Sequence, residues 1–136
     1  DRLQACLSLC RQLDLDALVE VHRRDELQHA VDAGAQLIGI NNRDLETFHT
    51  SLQTALDLID LVPPGRIVVA ESGIRTPGDV RCLAAAGIRN FLIGETLVRA
   101  ADPAAILDSL RRPWQGGTGT AVSELHQQDA GSRGPA

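Results

Sequence analysis

The sequence predicts a parallel α/β fold made of repeated strand–helix units, either a barrel or a doubly wound sheet. Three observations carry this expectation. Short continuous runs of Val, Ile and Leu, the pattern of strands buried on both faces, alternate with stretches of helical period. Such alternation implies right-handed crossovers and hence a parallel sheet. An internal echo repeats the unit: Ala30–Gly39 and Leu83–Gly94 each run from a small-residue helix end through a glycine turn into an apolar strand closing on glycine. Polar groups also close every strand, at Glu20, Asn41, Glu71 and the Gly94-Glu95 pair. That feature favours the barrel, where ligands bind at the carboxyl ends of the strands.

Local signals predict each element in turn. A helical period through Leu3, Leu7, Cys10 and Leu13 opens the chain, and Ala17–Val21 reads as the first strand. Asp25–Ala33 reads as an amphipathic helix, with Gly34 just past its end, where a left-handed residue is favoured. Leu37–Ile40 is the second strand. Thr50 and Gln53 have the spacing of a capping box, opening a helix that carries Leu52, Leu56, Ile59 and Val62 and stops at Pro63-Pro64-Gly65. Ile67–Ala70 is the third strand. Thr76-Pro77-Gly78-Asp79 starts the next helix, with proline in its first turn and an acid that suits the helix dipole, and Gly87 ends it. Phe91–Ile93 is the last strand, Glu95–Arg99 a short extra helix, and Asp102-Pro103 opens a final helix ending near Arg112. The folded unit is therefore expected over residues 1–114, with Trp114 tucked against it. From 115 to 136 there is too little apolar material to repay ordering, and a disordered tail is expected.

Composition narrows the function classes. The 136 residues are 43% hydrophobic, one domain's worth of core. A net charge of -5 without basic runs argues against nucleic acid and against an anionic membrane surface as partners. No apolar run approaches the roughly 18–20 residues of a membrane span, and no secretory leader is expected. Cys6, Cys10 and Cys82 lack metal-ligand spacing. Cys6 and Cys10, four apart on the first helix, read as small buried thiols, and a reducing cytoplasm is the expected location. Neither a metal nor a cofactor is expected. The absence of methionine suggests a piece of a longer polypeptide. All thirteen basic side chains are arginine, so no ammonium is available to donate a proton or form a Schiff base.

The candidate chemistry sits at the strand ends. Gly73 and Gly94 lie where backbone must approach a ligand closely, and with Glu95 they suggest a phosphate cradle of backbone N–H groups; alternatively the glycines only end strands. Glu20 and Glu71 are carboxylates at a barrel mouth, costly there unless used, although salt bridges to helix arginines would also account for them. Two carboxyls in one mouth can be tuned apart, one raised toward neutrality for proton transfer. In Asn41-Asn42-Arg43-Asp44, Asn42 and Asp44 read as turn formers and Asn41 as the substrate contact. His22 reads as structural, and His29 and His126 as solvated.

Four segments in order carry a family resemblance: Leu18-Val19-Glu20-Val21-His22, Ile38-Gly39-Ile40-Asn41-Asn42-Arg43-Asp44-Leu45, Ala70-Glu71-Ser72-Gly73-Ile74 and Leu92-Ile93-Gly94-Glu95. Over roughly residues 1–112 the chain resembles indole-3-glycerol phosphate synthase, a TIM (β/α)8 barrel enzyme of tryptophan biosynthesis. The resemblance covers the carboxyl-terminal four βα units, a half-barrel fragment. It implies a phosphorylated small-molecule substrate, 1-(2-carboxyphenylamino)-1-deoxyribulose 5-phosphate, whose ring closure releases carbon dioxide and water. It also implies catalytic roles for Glu20, Asn41 and Glu71, with Glu20 as the acid–base group. Arg43 and Ser72 would bind substrate, and Gly73, Gly94 and the Glu95 backbone would hold the phosphate. Some family members have serine in place of Glu95, so its side chain is expected to turn away from the phosphate. The family's catalytic lysines lie on early strands that this chain lacks. The resemblance therefore implies that the amino-terminal half-barrel is needed and that the chain alone is inactive. A phosphoribosylanthranilate isomerase-like or thiazole-synthase-like barrel, or a non-catalytic phosphate-binding half-barrel, are the other readings.

Overall fold

Parallel pairing of four successive strands sets the architecture, which a computed structural model describes for residues 1–112. The expectations for Trp114, for the boundary at residue 114 and for the 115–136 tail lie outside the described residues. The elements are α1 Arg2–Gln12, β1 Leu18–Val21, α2 Arg24–Asp32, β2 Leu37–Asn41, α3 Gln53–Ile59, β3 Ile67–Glu71, α4 Pro77–Ala85, β4 Asn90–Leu92, α5 Glu95–Val98 and α6 Pro103–Arg111. The sheet order is β1-β2-β3-β4 and every pair is parallel. Sequential order without reversal is barrel order, whereas a doubly wound sheet reverses at a switch point. Four strands leave the sheet open at β1 and β4, so the fold is half of a TIM barrel.

The register separates two faces. Val19, Val21, Ile38, Ile40, Val68, Ala70 and Phe91 alternate onto the helix side. They pack there with Leu27, Ala30, Ala55, Leu58, Val80 and Leu83. Ile38, Ile40 and Leu83 are fully excluded from solvent. On the opposite face the rows across the sheet run Leu18–Leu37–Ile67, Glu20–Gly39–Val69 and Asn41–Glu71–Leu92. In a closed barrel this face is the interior. Here Leu18, Ile67 and Leu92 are 40%, 42% and 49% exposed. No helix among the described residues is long and apolar enough to cross a membrane.

Most of the expected punctuation forms. Gly34 and Gly87 end α2 and α4 in the left-handed region, with φ of 86° and 94°. The Thr76 hydroxyl accepts from the Asp79 N–H at 3.2 Å while the Asp79 carboxylate accepts from the Thr76 N–H at 2.8 Å, completing a capping box before Pro77. Asp102 caps α6 by accepting from the Ala105 N–H at 3.0 Å.

Four expectations are corrected. The Thr50–Gln53 capping box does not form, because Thr50 pairs antiparallel with Arg43 and the helix starts only at Gln53. Cys6 is exposed and Cys10 half-buried, because α1 buries only Leu7. The last strand runs one residue earlier than expected: Asn90 pairs with Val69, and its side chain donates to the Val68 carbonyl at 3.0 Å. Asn42 is not merely a turn former but a buried tie, 1% exposed. Its Nδ2 donates to the Ser72 carbonyl at 3.1 Å and its Oδ1 accepts from the Ala55 N–H at 3.1 Å.

That tie joins the loops after β2 and β3 to α3. Replacing Asn42 with alanine strands a buried N–H and a part-buried carbonyl, each worth roughly 1–3 kcal/mol. Asn42→Ala is expected to lower stability by about 2–4 kcal/mol in urea denaturation. A loss below about 1 kcal/mol would show that the tie is dispensable.

Candidate active site

Because the strands are parallel, Glu20, Asn41, Glu71 and the loop after β4 emerge at one edge. Asn41 and Glu71 close apolar strands and directly follow the fully buried Ile40 and Ala70, so the core fixes where each backbone ends. The Glu20 side chain is 44% exposed, and its Oε1 accepts from Asn41 Nδ2 at 2.8 Å. Asn41 is itself oriented at its other end, where Oδ1 accepts from the Arg43 N–H at 2.9 Å. His22 completes the surroundings of Glu20. Its Nε2 lies 3.3 Å from Glu20 Oε1 and its Nδ1 3.4 Å from Glu26 Oε2, while its backbone N–H donates to Glu26 Oε2 at 2.7 Å.

Glu71 is 6% exposed, and its Oε1 is buried without a hydrogen-bond partner. It leans over β2 into the space that Gly39 leaves: a Cβ at residue 39 would fall 1.9 Å from that oxygen. Its carboxyl also meets that of Glu20. Burial first, and then the Glu20 charge and contact, push the Glu71 carboxyl above its ordinary value, with His22 opposing. A protonated Glu71 can donate to a neighbouring carboxylate, whereas its ionised form faces a like charge there.

The loop after β3 turns through two consecutive left-handed residues, Ser72 at φ 63° and Gly73 at φ 74°. Serine pays roughly 1–2 kcal/mol there. At Gly73 a Cβ would also fall 2.4 Å from Thr50 Cγ2, so only glycine fits. Thr96 Oγ1 donates to the Ile74 carbonyl at 2.7 Å and ties α5 to this loop. Between them lies a cleft of about 590 Å³, lined by Arg43, Glu71, Ser72, Gly73, Arg75, Gly94, Glu95, Thr96 and Arg99 among others. Arg43 Nη2 is paired with Glu95 Oε2, and Arg99 Nε lies 3.1 Å from Glu95 Oε1. Arg43 first, then Arg99, hold the Glu95 carboxyl below the usual carboxylate range.

Six of the eight residues singled out from the sequence thus share one cleft: Arg43, Glu71, Ser72, Gly73, Gly94 and Glu95. Glu20 and Asn41 do not line it and connect to it through the Glu20–Glu71 contact. Glu95 lines the cleft, and its carboxylate is held there by two guanidinium groups. Arg75, Thr96 and Arg99 were not anticipated. Arg99 was legible, since it stands four residues after Glu95, the spacing of a helical ion pair. Among the described residues no group of three or more His, Cys, Asp or Glu side chains could hold a metal ion.

Known proteins bear on this geometry. The family model described as indole-3-glycerol phosphate synthase matches residues 1–110. The chain is 54% identical over 108 residues to the indole-3-glycerol phosphate synthase of Syntrophobacter fumaroxidans and 50% identical over 108 residues to that of Desulfosudis oleivorans. Each alignment covers 79% of this chain and 41% of the relative, so the chain spans about two-fifths of the length of these curated relatives. Among solved structures, 3-hexulose-6-phosphate synthase from Salmonella typhimurium superposes with a TM-score of 0.68 at 15% identity, covering 85% of this chain and 57% of that one. That likeness concerns fold alone. The match over residues 1–110, together with 54% identity to a curated relative, shows that the chain belongs to the indole-3-glycerol phosphate synthase family.

Proposed function

We propose that this chain supplies the carboxyl-terminal half of an enzyme that closes the pyrrole ring of 1-(2-carboxyphenylamino)-1-deoxyribulose 5-phosphate, releasing carbon dioxide and water. The Glu20–Glu71 carboxyl pair at the border of an arginine-lined cleft is the observation that carries this reading. Expelling an oxygen as water requires a group that gives it a proton, and forming the ring double bond requires a group that takes one from carbon. Glu20 is the acid–base group: it is partly exposed, and Asn41 holds it in one orientation. Glu71 faces the cleft and positions the reacting atoms. Arg43 and Ser72 bind the substrate, with the Arg43 guanidinium suited to its anionic oxygens, phosphate included. The backbone at Gly73, Gly94 and Glu95 receives the phosphate, helped by the field of Arg75 and Arg99.

The chain needs an amino-terminal half-barrel for this activity. The half-exposed Leu18, Ile67 and Leu92 call for further strands across the open face, and with no lysine present the chain lacks an ammonium proton donor. We place the reaction in the cytoplasm, where a reducing environment keeps Cys6, Cys10 and Cys82 as free thiols.

Co-expression with the amino-terminal portion of the Syntrophobacter fumaroxidans relative, followed by an indole-fluorescence assay of ring closure, tests this reading. Activity is expected from the pair and none from the chain alone; turnover by the chain alone, or none by a folded pair, would overturn it. In the active pair, Glu20→Gln is expected to lower kcat by about 10²–10⁴-fold with little change in KM. An unchanged kcat would remove Glu20 from the mechanism.

The raised Glu71 carboxyl also has a consequence for stability. The folded state holds this proton more tightly than the unfolded chain does. Stability therefore falls as pH rises from the ordinary glutamate value through the raised one. Glu71→Gln removes that loss, since its amide carries no charge and can donate to Glu20. The variant is expected to gain on the wild type in urea denaturation at about pH 8 relative to about pH 3, below the ordinary glutamate value. A stability difference independent of pH would show that Glu71 ionises as a solvated carboxyl does.

A further inference from the structure

Glu95 presents a problem for a phosphate cleft, because a carboxylate in the wall repels a dianion. Its partners offer a solution. Both of its oxygens are engaged, Oε2 by Arg43 Nη2 and Oε1 by Arg99 Nε at 3.1 Å. Arg43 belongs to the loop after β2 and Glu95 to α5 after β4, so the ion pair joins segments from either side of β3 that both line the cleft. Arg75 adds a third guanidinium at this site. Without a counter-charge these cations would repel one another; the Glu95 carboxylate supplies it.

The two ends of the ion pair differ in freedom. The Arg43 side chain is 30% exposed, and its backbone is pinned by the N–H bond to Asn41 and by the bridge to Thr50. The Glu95 side chain is 46% exposed and the Arg99 side chain 79% exposed. A competing anion therefore displaces Glu95 toward solvent more readily than it moves Arg43. Exposed ion pairs of this kind are individually weak, so a dianion with several donors can replace one.

We propose that Glu95 is a built-in counter-anion of the phosphate cleft, which pairs with Arg43 when the cleft is empty and yields it to the ligand's phosphate when the cleft is filled. The inference rests on the phosphate reading of this cleft. It makes Glu95 a specificity-determining residue. Weakly charged ligands must compete with a tethered carboxylate, whereas a dianion displaces it, so the residue raises the charge a ligand needs in order to be held.

Titration of the full chain with inorganic phosphate at mildly alkaline pH and low ionic strength, followed by two-dimensional nitrogen–proton NMR including the arginine Nε–H signals, tests the proposal. Glu95→Gln keeps the size and the hydrogen-bonding oxygen but loses the charge, and is expected to bind phosphate roughly two- to ten-fold more tightly than the wild type. Arg43→Gln is expected to weaken binding and, combined with Glu95→Gln, to abolish most of that gain, since the two residues act on one another. Equal or weaker phosphate binding by Glu95→Gln, with binding by the wild type intact, would overturn the counter-anion and leave the phosphate cleft standing. A gain that persists in the double variant would overturn the exchange of Arg43. Absence of phosphate binding by every form would overturn the cleft reading itself and this inference with it.

Discussion

At the middle of the sheet the Glu71 carboxyl leans across β2 and fills the place that a side chain at residue 39 would occupy, with a Cβ there only 1.9 Å from Oε1. The register makes this matter. Gly39 is paired with Glu20 on one side and Val69 on the other, while Glu71 stands one layer higher, opposite Asn41. The gap at Gly39 is thus the passage through which the carboxyl of β3 reaches the carboxyl of β1. A side chain there would collide with the Glu71 carboxyl and force one of the two to move. The approach of Glu71 to Glu20 depends on an intervening strand that has no side chain at one position.

The rest of the inner face is graded around that contact. Its lower layer, Leu18, Leu37 and Ile67, is wholly apolar, and the polar groups Glu20, Asn41 and Glu71 appear only as the strands reach their carboxyl ends. The helix-facing core supplies the rigidity: with Ile38, Ile40 and Leu83 fully excluded from water, the strand ends have little freedom to move. Asn42 extends that rigidity into the loops by fixing the Ser72 carbonyl, and so holds the strained left-handed turn that presents Gly73 to the cleft. A stable scaffold and a strained turn are complementary here, because the strain persists only where its surroundings over-determine it.

The strand–helix alternation and the barrel order were legible because glycine, proline and apolar periods are local signals, and Gly34, Gly87 and Thr76 did what such residues do in any chain. What stayed hidden depends on partners far away in the sequence. Thr50 has the spacing of a cap but is taken up by Arg43, and Asn42 has the composition of a turn but reaches 30 residues ahead to Ser72. Gly39 sits in an ordinary apolar run, and nothing local announces that a carboxyl from the next strand will cross it. The carboxylates themselves were legible, since a charge closing a buried strand has no packing purpose. Their contact with each other was not.

The absence of lysine gives the site a particular electrostatic character. Its cations are guanidiniums, which hold anions but do not exchange protons near neutral pH. Beside these cations stand Glu20, Glu71 and His22, with His22 Nε2 3.3 Å from Glu20 Oε1. A carboxyl pair with one proton can take up or release charge cheaply, but it lacks a separate donor for a departing oxygen. In the proposed assembly that donor comes from the amino-terminal half. An added ammonium near the pair would favour ionisation of both carboxyls, reversing the effect that burial and mutual repulsion have on Glu71. The open apolar face and the raised carboxyl would thus both be answered in that proposed assembly, further strands covering the one and an ammonium offsetting the other.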